Sequence, residues 1–121
     1  MEKSVTYIKE RYNNIPIIIT ENGYCEVTNP NSTFEESLND VKRVECKYLD
    51  YLSRTMRKGA DVRGYFVWTL LDDYEWLTGY TTRFGLHYVD QVTLKNSPKA
   101  SATWYKEFIA EHKTTPQVVQ Y

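Results

Sequence analysis

The segment Ile15-Pro16-Ile17-Ile18-Ile19-Thr20 is the strongest constraint on the fold, with four isoleucines in six residues. It ends abruptly at Glu21-Asn22-Gly23. A strand without polar alternation belongs in a parallel sheet covered on both faces. Pro16 stands at its start, where a missing N–H does least harm. Val62-Arg63-Gly64-Tyr65-Phe66-Val67-Trp68 reads as a second strand of the same kind. Between them, Ser32-Thr33-Phe34-Glu35-Glu36 offers two overlapping capping boxes. Leu38, Val41, Tyr48, Leu52 and Met56 then recur at helical spacing, which predicts one long helix with Gly59 as its C′ residue. Strand, helix and strand make a βαβ unit, whose crossover is expected to be right-handed.

The flanks extend this pattern. Val5, Ile8 and Tyr12 predict a short helix over residues 4–12. Residues 24–33 read as a loop and 69–83 as irregular. Phe84 to Val89 reads as an extra strand, followed by a turn through Asp90 to Asn96. Ser97-Pro98 looks like an N-cap with Pro at N1. The helix after it is expected to reach about Glu111, with Ala100, Trp104 and Phe108 inward. Residues 113–121 read as a loose tail, leaving 1–112 as the structured unit.

Composition narrows the function. The 121 residues carry 15 Lys+Arg against 16 Asp+Glu. That is one domain's length without the clustered cations that nucleic acid requires. No apolar run approaches the roughly 20 residues of a membrane span. Cys25 and Cys46 are too few for a disulfide framework and read as two free thiols, with a single bridge between them as the alternative. Asn31-Ser32-Thr33 is an N-glycosylation pattern, relevant only along a secretory route. The chain holds 11 Tyr, 4 Phe and 3 Trp, and such flat faces suit sugar sites as well as cores.

In α/β proteins functional groups gather beyond the carboxyl ends of the strands. Glu21 follows the first strand directly. Trp68 closes the second, and Asp72, Asp73, Tyr74, Glu75 and Trp76 follow it. From position alone, Glu21 reads either as a catalytic carboxylate or as a surface residue entering an Asn-Gly turn. Trp68, Glu75 and Trp76 read either as a sugar platform with a hydroxyl acceptor or as core aromatics beside an exposed Glu. Asp72, Asp73 and Glu75 lack the spacing of a calcium loop and read as solvated or hydrogen-bonded carboxylates. His87 and His112 have no partners at metal spacing and read as structural or surface residues. No metal site is expected.

Ile19-Thr20-Glu21-Asn22-Gly23 and Val62 through Trp76 closely resemble the β-glucosidases of glycoside hydrolase family 1, in wording most like plant members. Gly79-Tyr80, Arg83-Phe84-Gly85-Leu86, Tyr88-Val89-Asp90, Ser97-Pro98-Lys99 and Ser101 through Lys106 continue the resemblance, which covers about residues 5–110. It implies an α/β fold, the seventh and eighth βα units of a (β/α)8 TIM barrel. A barrel of this kind takes roughly 250 residues, so this chain corresponds to an incomplete one. The resemblance implies Glu21 as the nucleophile of a retaining glycosidase and Trp68 as a wall of the sugar subsite. It implies Glu75 as ligand of hydroxyls 4 and 6, Trp76 of hydroxyl 3, and Phe84 as pocket lining. No cofactor is implied.

The sequence departs from the family pattern in two places. Thr69 stands for a usual Ser, and Asp73-Tyr74 for a usual Asn-Phe. Retaining hydrolysis also needs a second carboxyl group about 5–5.5 Å from the first. The family carries it in a Thr-Phe-Asn-Glu-Pro-like motif, which these residues do not contain. The isolated chain is therefore expected to lack autonomous activity, and it reads as part of an enzyme that works when complemented, as a non-catalytic sugar-binding or interaction module, or as a truncated remnant. Its expected partners are a β-glucoside once the barrel is completed, a complementing barrel fragment, or a second copy. The resemblance and the Asn31 pattern lean toward a secretory or vacuolar route.

Overall fold

A computed structural model describes residues 1–27, 29, 31–40 and 47–112. Val41, Cys46 and the expected tail at 113–121 fall outside them.

The isoleucine run forms β1 (Ile17–Asn22), and the second apolar run forms β3 (Val62–Val67). They pair in parallel, with Ile17 opposite Val62, Ile18 opposite Gly64 and Asn22 opposite Val67. Helix α1 (Glu2–Arg11) and helix α3 (Tyr48–Arg57) pack together against the sheet. Val5, Ile17, Leu52, Ala60 and Val62 form the buried core, with Met1, Ile8, Ile19, Leu49 and Tyr65 at its margin.

Burial on both faces of β1 does not hold. Ile17 is buried against the helices, but Ile18 is 57% exposed and Phe66 on β3 is 61% exposed. The helices cover one face of a two-stranded sheet, and the other face lies open among the described residues.

The single long helix is also corrected. Thr33 caps α2 (Phe34–Leu38) through a capping box with Glu36, and helical geometry ends by Asn39. Asp40 is turned inward and 1% exposed. It accepts the Ser101 N–H at 2.8 Å and the Ser101 hydroxyl, so its carboxyl group has left the α2 helix for another element. Helix α3 then ends as the sequence predicts. Gly59 has φ +85° and its N–H reaches the Met56 carbonyl, while the Ala60 N–H reaches that of Thr55. These two bonds form a Schellman cap.

Two short antiparallel strand pairs complete the described structure. Strand β2 (Glu26–Val27) pairs with β4 (Thr82–Arg83), and β5 (His87–Val89) pairs with β6 (Asn96–Pro98). The Ser97-Pro98 cap is thereby overturned, because both residues belong to β6. Helix α4 (Ala100–His112) starts two residues later. The Asp40 carboxyl group satisfies its first turn instead of a local side chain. Ala100 is exposed and Ser101 is the buried residue, while Trp104 and Phe108 are half-buried and stack at 5.4 Å.

Candidate active site at the strand ends

Parallel pairing brings the carboxyl ends of β1 and β3 level. The Trp68 N–H donates to the Asn22 carbonyl at 2.9 Å. The Tyr65 hydroxyl donates to Asn22 Oδ1 at 2.7 Å. Glu21 precedes Asn22 with an exposed side chain. Gly23 enters a close approach: a Cβ there would stand 2.7 Å from the Trp68 carbonyl oxygen and 2.9 Å from Cδ1 of Phe84. Only the absence of a side chain lets the chain leave β1 between these two aromatic residues.

Beyond Trp68, whose peptide bond to Thr69 is cis, the chain runs beside the segment after β4. The Thr69 N–H donates to Phe84 O, and the Leu86 N–H to Thr69 O. The His87 N–H donates to Leu70 O, and the Asp72 N–H to His87 O. This irregular ladder holds Phe84 next to Trp68. The Trp68 indole N–H donates to Glu75 Oε1 at 3.0 Å. Glu75 starts a tight turn through the 3₁₀ segment Trp76–Thr78, closed by its N–H on the Gly79 carbonyl at 2.8 Å.

Trp68, Glu75, Phe84 and the Glu21–Gly23 end of β1 thus occupy one rim. Trp76 lies in the same turn but is 85% exposed. Asn31 is exposed on the turn before α2, its N–H bonded to Asn29 Oδ1. Cys25 is exposed and free.

Sequence reasoning missed the group that holds this rim. Asp72 is buried and accepts Lys99 Nζ at 3.0 Å and the Gly85 N–H at 2.9 Å on Oδ1, with Arg83 at 2.9 Å on Oδ2. Arg83 also lies over the Tyr88 ring at 4.4 Å. A Cβ on Gly85 would sit 2.2 Å from the Asp72 backbone nitrogen. One carboxylate therefore ties the loop after β3 to β4 and to the start of α4. The Asp73 carboxyl group beside it is held above the usual aspartate range by burial, by a hydrogen bond with Glu75 and by the charges of Glu75 and Asp72. Among the described residues no cluster of His, Cys, Asp and Glu is arranged to hold a metal ion. No described helix is long and apolar enough to cross a membrane.

Residues 1–114 match the family model described as Glycosyl hydrolase family 1. A rice (Oryza sativa subsp. japonica) protein named probable inactive beta-glucosidase 14 is 55% identical over 90% of this chain and 22% of its own length. The coniferin beta-glucosidase of Pinus contorta is 51% identical, also over 90% of this chain and 22% of its own. A crystal structure of a rice β-glucosidase superposes with a TM-score of 0.83 at 45% identity, covering 87% of this chain and 23% of that one. A β-glucosidase from the fungus Humicola insolens, in complex with glucose, superposes with a TM-score of 0.85 at 34% identity over 91% of this chain and 24% of that one. The chain thus spans under a quarter of the length of these relatives and corresponds to part of a TIM barrel.

Proposed function

The chain belongs to glycosyl hydrolase family 1, and on that premise we propose that its rim supplies the nucleophile and the sugar-holding wall of a retaining β-glucosidase site. Glu21 attacks the anomeric carbon as the bond to the leaving oxygen breaks, giving a glycosyl ester that water later opens. Trp68 and Phe84 line the sugar face. Glu75 accepts from hydroxyls 4 and 6, and Trp76 meets hydroxyl 3. The observation that carries this reading is the convergence at Gly23, which brings the end of the Glu21 strand against Trp68 and Phe84, together with the Trp68–Glu75 hydrogen bond.

The general acid is the other half of the chemistry. It must protonate the leaving oxygen and then deprotonate water. The family motif for it is absent from these residues, so hydrolysis requires further barrel units that carry it. A glucoside with a very good leaving group bypasses much of the acid's task. A 2-fluoro glucoside of that kind is expected to label Glu21, with the adduct read by peptide mass, when the complementing barrel units are supplied. Labelling at another residue, or none with those units present, argues against Glu21 as nucleophile.

The absent acid motif favours a second reading, a sugar-binding module without catalysis. It gives glucose-dependent quenching of Trp fluorescence in the chain alone, with no adduct.

A further inference from the structure

We propose that Asn22 and Tyr65 are positioning residues for Glu21: their hydrogen bond holds a β-bulge at Thr20–Glu21 that turns the Glu21 carboxylate away from the helices. This rests on the reading of Glu21 as the nucleophile. Ile19 lies opposite Tyr65 and Asn22 opposite Val67, so Thr20 and Glu21 share the place that Phe66 alone occupies on β3. An earlier irregularity runs the other way. Ile17 and Ile18 are neighbours on β1, while their partners Val62 and Gly64 enclose Arg63. The two offsets cancel, so the strands finish level although one residue of β1 has been turned out of step.

Side chains of a regular strand alternate between its faces, and that rule would give Glu21 the face of Ile17 and Ile19. Ile17 is buried in the core and Ile19 packs at its margin, so a carboxylate on that face would be drawn out of water. Instead Thr20 and Glu21 are exposed in succession, and Asn22 takes the inward place. Asn22 lines a small cavity with Tyr65 of β3, Leu49 of α3 and Trp104 of α4. There the Tyr65 hydroxyl donates to Asn22 Oδ1 at 2.7 Å. On the main chain, the Trp68 N–H donates to the Asn22 carbonyl at 2.9 Å. The residue after Glu21 is therefore fixed twice, and Gly23 beyond it has no room for a Cβ. An extra residue bends a strand and re-aims its side chains, and a loose end would let the register slip back. Pinning Asn22 prevents that slip. The Tyr65 hydroxyl acts through Asn22 on the direction of Glu21, and attack on a bound sugar is sensitive to small misplacements.

Tyr65→Phe removes only the hydroxyl, and two measurements read the result. In the chain alone, exchange of the Trp68 amide is expected to rise about tenfold, while the amides of Ile17 and Leu52 in the core keep their native rates. With the complementing barrel units supplied, labelling of Glu21 by the 2-fluoro glucoside is expected to slow by about tenfold to a hundredfold at saturating reagent. The half-saturating concentration is expected to change little, because the Trp68–Glu75 bond remains. A merely structural role would lower the amount of chain that labels, not the rate constant of the part that does. Asn22→Ala is expected to slow labelling at least as much, and the double variant no further, because both changes break one bond. Native labelling kinetics in Tyr65→Phe, an unchanged Trp68 amide, or additive losses in the double variant overturn the proposal. No labelling of the native chain rejects the nucleophile and the positioning role with it. Native labelling that Tyr65→Phe leaves unaffected rejects the positioning role alone.

Discussion

Lys99 and Asp72, 27 residues apart, form an ion pair of 3.0 Å with side chains only 1% and 3% exposed. Removing one member of such a pair leaves a buried charge without compensation, which costs about 3–5 kcal/mol. Asp72→Ala strands Lys99 and releases Arg83 and the Gly85 N–H, so its urea midpoint is expected to fall by a corresponding amount. Lys99→Met leaves Asp72 with Arg83 and Gly85 and is expected to cost less. Equal losses in the two variants would show that Arg83 does not hold Asp72 by itself.

Gly85→Ala is expected to be at least as damaging, because its Cβ would collide with backbone at 2.2 Å and 2.6 Å rather than with a movable side chain. Gly23→Ala meets the Trp68 carbonyl and the Phe84 ring edge. It is expected to disturb the rim more than the core. Near-ultraviolet circular dichroism reports the aromatic rim, and far-ultraviolet the helices. A Gly23→Ala chain with unchanged near-ultraviolet signal would contradict this packing.

The turn after β5 responds to acid. Asp90 accepts the N–H and hydroxyl of Thr93 and the N–H of Val92. The Thr93 backbone bond, the Thr93 hydroxyl and the other donors hold its carboxyl below the ordinary aspartate value of 3.8. A lowered folded value means the contribution is present above the unfolded value and lost as pH falls through the folded one. Amide exchange at Val92 and Thr93 is expected to rise in that acid window, below 3.8, and Asp90→Asn is expected to abolish the response.

The open sheet face carries a further expectation. Ile18 on β1 and Phe66 on β3 are both more than half exposed, and such apolar surface drives association. Sedimentation of the chain alone is expected to show concentration-dependent self-association. Ile18→Thr combined with Phe66→Ser is expected to weaken it, and an unchanged profile would place the contact elsewhere.

The paired strands and the rim beyond them were legible because apolar residues dominate each run and the chain direction then follows from a strand–helix–strand order. Gly59 was legible for the same local reason, since a helix end needs a left-handed residue beside it. The break at Asn39–Asp40 was not, because the group that captures the Asp40 carboxyl lies 61 residues away. Ser97-Pro98 carries a real helix-start signal, yet pairing with His87 and Tyr88 draws both residues into β6. Nothing in the residues around Lys99 signals its burial, which Asp72 across the fold explains. The exposure of Ile18 follows from how much sheet surrounds it, which no run of residues encodes.

The Asp40 clasp on Ser101 has a consequence for how the chain can be divided. Helix α4 borrows its first hydrogen-bond acceptors from a residue ahead of α3, so it is not a self-contained module. A peptide spanning only residues 97–112 would begin with bare amide donors and fray. An anion such as sulfate, supplied in solution, would be a substitute for the distant carboxyl group, and the helicity of that peptide would then measure what the clasp contributes.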